Sequence, residues 1–510
     1  MADATPTHAG QLSADGRWRW DGSQWQPVVP ALPPLPVWAG SKVRYTATWA
    51  AAVAVLGVGV VADQSLRTGR FGLAASITFA ASAGVAIWVG SLRRLESRLL
   101  VLLAAVFACC FTLRGSPWLL WPDLGAALVL LGLAASLALR GSVFDVGVAE
   151  LAARAVQGAV QLVAGGAYVA RPVIESRNRM ASVVPVARGF LIAIPLAALL
   201  AGLLASADPV FASFFNLNVD VGQLVLDAFF VVFGCLCAAG LLRLIASEPV
   251  HRVDGPRWRL GAAEALVVLA ILDAVFAAFA LAQVLAATGV ATGTLKSAGV
   301  TYADYARSGF FQLLWVSGIT LVVLVLANRI TDLAERWSRL AFLVLAVCAI
   351  ALTLMIDVVA FRRLSLYEEA YGFTMLRLYS HVFAVWLGLV FVLLAADFMG
   401  VLARRRWFIG ASLTTALLVL LSLNALNPEA MVVSLNTSHA QTAHQIDGAY
   451  LSELSSDATP ALLASRTAIE PSLRKQVTRA ACAGPRSYTA PWAALNLSDA
   501  QAAAARHDSC

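Results

Sequence analysis

Long apolar stretches separated by short polar connections run through the chain from residue 43 to residue 426. A hydrocarbon core of about 30 Å requires about 20 mostly apolar residues in a helix. Such stretches lie near 43–62, 71–92, 98–114, 118–139, 186–206, 221–246, 261–289, 308–328, 339–361, 375–400 and 407–426. They are continuous rather than alternating, and too long for buried strands. The pattern predicts an all-α integral membrane protein with about eleven transmembrane helices and a small extracytoplasmic helical tail. The third stretch is the weakest, pinched by Arg98 and Arg114. The first follows a long polar arm and precedes no small-residue cleavage site, so it reads as a span and not as a signal peptide. Five regions follow: a polar arm (1–40), a first group of about four spans (41–142), a cytoplasmic amphipathic segment (143–185), a main membrane domain of about seven spans (186–426) and a polar tail (427–510).

Composition agrees with this reading. Of 510 residues, 60% are hydrophobic and 13% charged, with a mean hydropathy of +0.76. Soluble domains hold about 45–50% apolar and about 25% charged residues. The net charge of +7 gains meaning only when its cations are located. With the N-terminus inside, 23 of the 37 lysines and arginines fall on inner segments, 8 on outer loops and 6 in the tail. The positive-inside bias predicts a multi-pass cell-membrane protein with a cytoplasmic N-terminus and an extracytoplasmic C-terminus. The tail carries seven acids against six bases, a balance that excludes nucleic acid as its partner.

The segments outside the spans have their own patterns. Pro30-Ala-Leu-Pro-Pro-Leu-Pro36 favours an extended spacer. Before it, Asp15-Gly16 and Asp21-Gly22 are turn signals around Trp18, Trp20 and Trp25, which suits a small aromatic hairpin. Over 140–188, Val156, Val160, Val163 and Ala167 recur at helical spacing, with Glu150, Arg154, Gln157 and Gln161 opposite. That spacing predicts an amphipathic helix lying in the membrane interface. Five cysteines (Cys109, Cys110, Cys235, Cys237, Cys348) fall in spans and read as packing residues. Cys482 and Cys510 fall in the outer tail, where a disulfide between them is a candidate pairing.

Several chemistries are missing from the sequence. The three lysines follow Ser41, Leu295 and Arg474, so no phosphate-cradling Gly-Lys-Ser/Thr loop exists. No histidine precedes a glutamate, and the Cys and His spacings give no metal set. The residues thus call for no metal and no cofactor, and favour a protein that is not an enzyme. Ionisable residues at membrane depth are costly and become the site candidates. Asp227, Asp273 and Asp357 lie within spans, with Asp208 at an outer end. Arg307, Arg377 and His381 stand at similar depth, near Tyr302, Asp304, Tyr305 and Tyr379 in the chain. Arg377 and His381 are four residues apart and share a helix face. If these helices pack together, Asp227, Asp273, Tyr302, Asp304, Arg307, Arg377, Tyr379 and His381 line a polar, outward-facing cavity for an anionic lipid or a small solute.

At these residues two resemblances emerge. The Trp/Asp-Gly stretch resembles short modules at the N-terminus of many actinobacterial membrane proteins. Ala207-Asp-Pro-Val-Phe-Ala212, Thr301-Tyr-Ala-Asp-Tyr-Ala-Arg-Ser-Gly-Phe-Phe311 and Arg363 through Tyr379 resemble the signature stretches of a bacterial multi-pass family, the domain of unknown function of the 4153/4173 type. Tyr450-Leu-Ser-Glu-Leu-Ser-Ser-Asp457 and Trp492-Ala-Ala-Leu-Asn-Leu497 are similar too, so the resemblance spans roughly 186–500. It implies a membrane location and brings no activity, substrate or cofactor. Three functions remain: a transporter-like protein using the outward polar cavity; a non-catalytic envelope scaffold or signalling component that docks protein partners through the Trp-rich arm or the tail; and, last, a lipid-handling envelope enzyme.

Overall fold

The computed structural model describes residues 18–20, 24–27, 43–175, 221–248, 259–288, 309–401 and 406–510, with scattered positions between 189 and 207. Residues Met1–Lys42 form one unit and Val43–Cys510 a second. In the first, strands β1 (Trp18–Trp20) and β2 (Trp25–Pro27) pair antiparallel, with Trp20 opposite Trp25.

The second unit is helical. In order it contains α1 (Trp49–Thr68), α2 (Leu73–Trp88), α3 (Leu95–Leu113), α4 (Pro117–Ser136), α5 (Val148–Glu175), α6 (Val221–Ala246), α7 (Ala262–Ala287), α8 (Phe310–Ile330), α9 (Arg336–Tyr371), α10 (Met375–Phe398) and α11 (Trp407–Leu426). Among the described residues nine of these, all but α2 and α5, are long and apolar enough to cross a membrane. The protein is an all-α integral membrane protein. Large apolar side chains such as Val53, Trp88, Val225, Ile271, Trp315 and Val358 cover its outer surface, as lipid contact demands. The stretch near 186–206 lies largely outside the described residues; the described positions between 189 and 207 are helical.

Two elements depart from the expected lengths. α2 has only 16 residues, because the chain turns at Gly90-Ser91, where Ser91 adopts φ 53°. In the other direction, α9 runs for 36 residues, past the expected loop at 362–374. At 1.5 Å per residue such a helix is about 54 Å long, well beyond the roughly 30 Å core. Arg363 and Glu368 therefore lie on its projecting turns and not on a loop.

α5 reverses the expected sense of its amphipathicity. Arg154, Gln157 and Gln161 are buried against protein, while Val156 and Val163 face outward, Val163 being 83% exposed. The last carbonyls of a helix lack partners within it. Arg154 Nη1 donates to Ser136 O at the end of α4 (2.7 Å), and Gln157 Nε2 donates to Glu248 O just past α6 (3.1 Å). The polar face serves two helix ends instead of water, so this segment packs against α4 and α6.

Small residues make that packing close. A Cβ at Gly165 would lie 2.3 Å from Gly240 N. The last helices, α12 (Pro428–Ala443), α13 (Gly448–Glu453), α14 (Thr459–Ser465), α15 (Pro471–Ala481) and α16 (Leu497–Ser509), build a separate small core around Val433, Leu451, Leu462, Leu473 and Val477. Cys482 and Cys510 form a disulfide within it.

Candidate functional site

The bundle has two distinguishable ends. Arg44 N bonds Ala246 O (2.9 Å) and Arg94 donates to Leu137 O (3.2 Å), which gathers the start of α1 with the ends of α4 and α6 at a basic end. The C-terminal helices sit on the other end, where the α1–α2 and α3–α4 connections emerge.

There the contacts follow one rule: a polar side chain from the tail satisfies a backbone group left open by a membrane helix. Asp457 accepts from Gly115 N (3.0 Å) and Ser116 N (3.1 Å), capping the start of α4 with a negative charge. Asn496 Nδ2 donates to Phe111 O (3.1 Å) and Arg114 O (2.8 Å), closing the end of α3. Leu73 N, at the start of α2, bonds Leu495 O (2.9 Å). Asn436 brackets Phe373, accepting from its N–H (2.9 Å) and donating to its carbonyl (2.8 Å), and Tyr450 Oη accepts from Met375 N (2.6 Å). Burial raises the Tyr450 phenol above its ordinary range. Glu429, 2% exposed, accepts from Ser455 N (2.8 Å) and Ser455 Oγ (2.6 Å); desolvation nevertheless pushes its carboxyl up.

The residues singled out by depth fall at separate helix contacts. Asp227 on α6 pairs with Arg67 of α1 (2.5 Å), which also holds the buried Asp63 (3.2 Å). Asp273 is on α7, which packs against α9; it is 8% exposed, and neither carboxylate oxygen has a hydrogen-bond partner. Asp357 on α9 accepts from Ser317 Oγ of α8 (2.5 Å). On α10, His381 meets Glu368 (3.2 Å) and Ser365 (3.2 Å) of α9, with its ring against Phe361. Arg377 lies over the Tyr367 ring (4.2 Å) and donates to the Tyr371 and Gly372 carbonyls. Tyr379 Oη donates to Trp118 O (2.7 Å). Tyr302, Asp304 and Arg307 lie outside the described residues.

The structure therefore brings Arg377 and His381 together on the α9–α10 contact, as helical spacing required. It places Asp227 with α1 and Asp273 with α9. Among the described residues they do not converge on one cavity, because each polar group is drawn to the nearest partner across its own helix contact. Also among the described residues, no three His, Cys, Asp or Glu side chains are grouped to hold a metal ion.

A family model described as a domain of unknown function (DUF4153) matches residues 101–465. The chain belongs to the DUF4153 family. No curated protein and no solved structure matches it. The DUF4153 region begins within α3, earlier than the sequence motifs suggested, and ends at the close of α14, before the Trp492 stretch. It thus holds both sides of the α3–α4 cap: Gly115 and Ser116 on one, Asp457 on the other.

That DUF4153 core contains two polar groups that hydropathy alone passed over. Asp123 is 0% exposed within α4, and its Oδ1 accepts from Asn424 Nδ2 of α11 (2.8 Å). Arg114 donates to the Asn424 and Ala425 carbonyls at the end of α11. Asp123 was visible in Trp121-Pro122-Asp123 as an acid inside an apolar run; Asn424 carries no charge and gave no signal.

Proposed function

We propose that this DUF4153 protein is a transporter-like protein whose intramembrane carboxylates exchange protons as it works. The observation that carries the reading is Asp273: a carboxyl midway along α7, buried, with no donor to either oxygen. A permanent charge without a partner is expensive at that depth, and acids kept there are typical of proton relays. Asp357, held by one hydroxyl across the α8–α9 contact, is a second such acid on the helix packed against α7. The test reconstitutes the protein in liposomes containing a pH-sensitive dye and applies an inside-negative potential. Proton entry through the wild type and its loss in Asp273→Asn are expected. Equal entry through both proteins sinks the reading.

A second reading is a non-catalytic envelope scaffold. It is favoured by the C-terminal helices, which have their own core and disulfide and are fixed to three helix connections. With the cations counted as above, this platform faces outside the cell and the Trp-rich arm faces inside. Crosslinking intact cells, with and without residues 428–510, tests it: an unchanged set of crosslinked partners removes this reading.

A further inference from the structure

At the basic end, away from the tail, the ends of α1, α2, α4, α5 and α6 surround a recess of about 490 Å³. Its polar lining is Tyr45, Thr46, Thr48, Ser91, Arg93 and Tyr168, and no carboxylate lines it. Three of the neighbouring cations are occupied: Arg44 pairs with Glu248, Arg94 with Glu96, and Arg98 donates to Leu92 O. Among the described residues Arg93 has neither an ion pair nor a hydrogen bond, so its guanidinium keeps all its donors. Tyr168 is 8% exposed, and among the described residues its hydroxyl also has no partner. The first turn of α1, capped by Thr48, forms another wall. Helix starts carry a partial positive charge that favours anions.

The backbone at the mouth is strained. Ser91 sits in the left-handed region, and Gly90 before it leaves no room for a side chain: a Cβ there would meet Ala86 O at 2.6 Å and Ile245 at 2.9 Å. Such strain persists only where the surroundings impose it. Here it sets Ser91 and Arg93 between two recesses, because a second one, about 410 Å³, shares both residues and is otherwise lined by Ile87, Trp88, Leu92, Arg98 and Leu102. Trp88 is 82% exposed and Leu102 53%, on the surface that meets lipid.

We propose that this pair of recesses binds an anionic phospholipid. The phosphate sits in the polar recess against Arg93, Tyr168 and the α1 start, and an acyl chain lies along Trp88 and Leu102. An unpaired guanidinium and the free hydroxyl of a largely buried tyrosine that lines the recess suit a phosphodiester, and the adjoining apolar recess favours a lipid over free phosphate. The assignment is independent of proton coupling at Asp273.

The test is native mass spectrometry of the purified protein with added phosphatidylglycerol or phosphatidylcholine. Preferential retention of phosphatidylglycerol is expected. Arg93→Ala should weaken it at least about tenfold, the loss of one charge-assisted hydrogen bond, and Arg93→Lys should keep most of it. Tyr168→Phe should weaken retention several-fold with no change in melting temperature, and Arg336→Ala, on α9, should change nothing. Inorganic phosphate should fail to displace the lipid; displacement by phosphate overturns the lipid assignment in favour of a free anion. Retention by Tyr168→Phe and Arg93→Ala equal to wild type overturns the site. If Arg93→Ala does not fold, Tyr168→Phe and Arg93→Lys decide alone.

Discussion

Asp457 lies beyond the last membrane helix, yet its carboxylate accepts from two backbone N–H groups and from the Ser498 hydroxyl. Removing it strands two N–H groups at the start of α4, that of Ser116 buried and that of Gly115 half-buried. We expect Asp457→Ala to lower stability by about 3 kcal/mol, read as a fall in melting temperature in detergent, with a smaller fall for Asp457→Asn. Glu429 acts in the opposite sense. Its folded carboxyl is raised from the ordinary 4.5 by burial, so the folded state holds its proton more tightly than the unfolded chain does. Its contribution is complete below about 4.5 and is lost as pH rises through the raised value. Melting curves across that range should show stability falling towards neutral pH, and Glu429→Gln should flatten the slope; an unchanged slope contradicts the assignment. Depth along a hydropathy run made Asp227 and Asp273 legible as candidates. Asp457 and Asn496 were not legible in this way, because the groups they cap are 341 and 385 residues away, and nothing local marks a tail residue as a cap.

At the level of helices, the apolar runs located the spans well, since length and continuity of apolar residues are what a bilayer selects. Boundaries failed where a second force intervened. α9 continues past its apolar stretch because Arg362 through Tyr371 are good enough helix formers to extend a helix already nucleated. α5 was legible as amphipathic, but its orientation was not, because in lipid the polar face turns inward whenever neighbouring helix ends offer carbonyls. The α5–α6 contact depends on glycine, so a methyl at Gly165 must push against the Ala239–Gly240 backbone. Gly165→Ala should cost about 1–3 kcal/mol, the range for overpacking. At Gly125, on α4, a Cβ meets nothing within 4 Å, so Gly125→Ala should be neutral or slightly stabilising by about 0.5–1 kcal/mol. Parallel thermal melts of the two variants separate close approach from helix propensity.

Across the whole molecule, the same tail reaches both halves of the bundle. Asp457 and Asn496 hold the α3–α4 connection, while Asn436 and Tyr450 hold the α9–α10 connection. The disulfide ties α16 to the end of α15, and Arg506 donates to Ala481 O (3.0 Å) and Thr459 Oγ1 (2.8 Å) from the same helix. Burial lowers the Arg506 guanidinium below its usual range. A bond separated by 28 residues restricts the unfolded tail by about 3–4 kcal/mol. Reduction, or Cys482→Ser, should therefore open the segment between α15 and α16 to protease while α1–α11 stay protected in detergent. Cleavage appearing first in the membrane helices contradicts this order. The separation of the two ends was partly legible from charge: cations crowd the segments opposite the tail, and the tail itself is almost neutral.

The caps on α3 and α4 also impose a schedule on synthesis. Gly115 and Ser116 leave the ribosome more than 300 residues before Asp457 does, so the early helix pair waits, with open backbone groups at its end, until the final helices are made and delivered to the same side of the membrane. A late segment thus locks an early one. A chain interrupted before Asp457 would carry an inserted but unlatched bundle, with the Gly115 and Ser116 N–H groups left without their carboxylate.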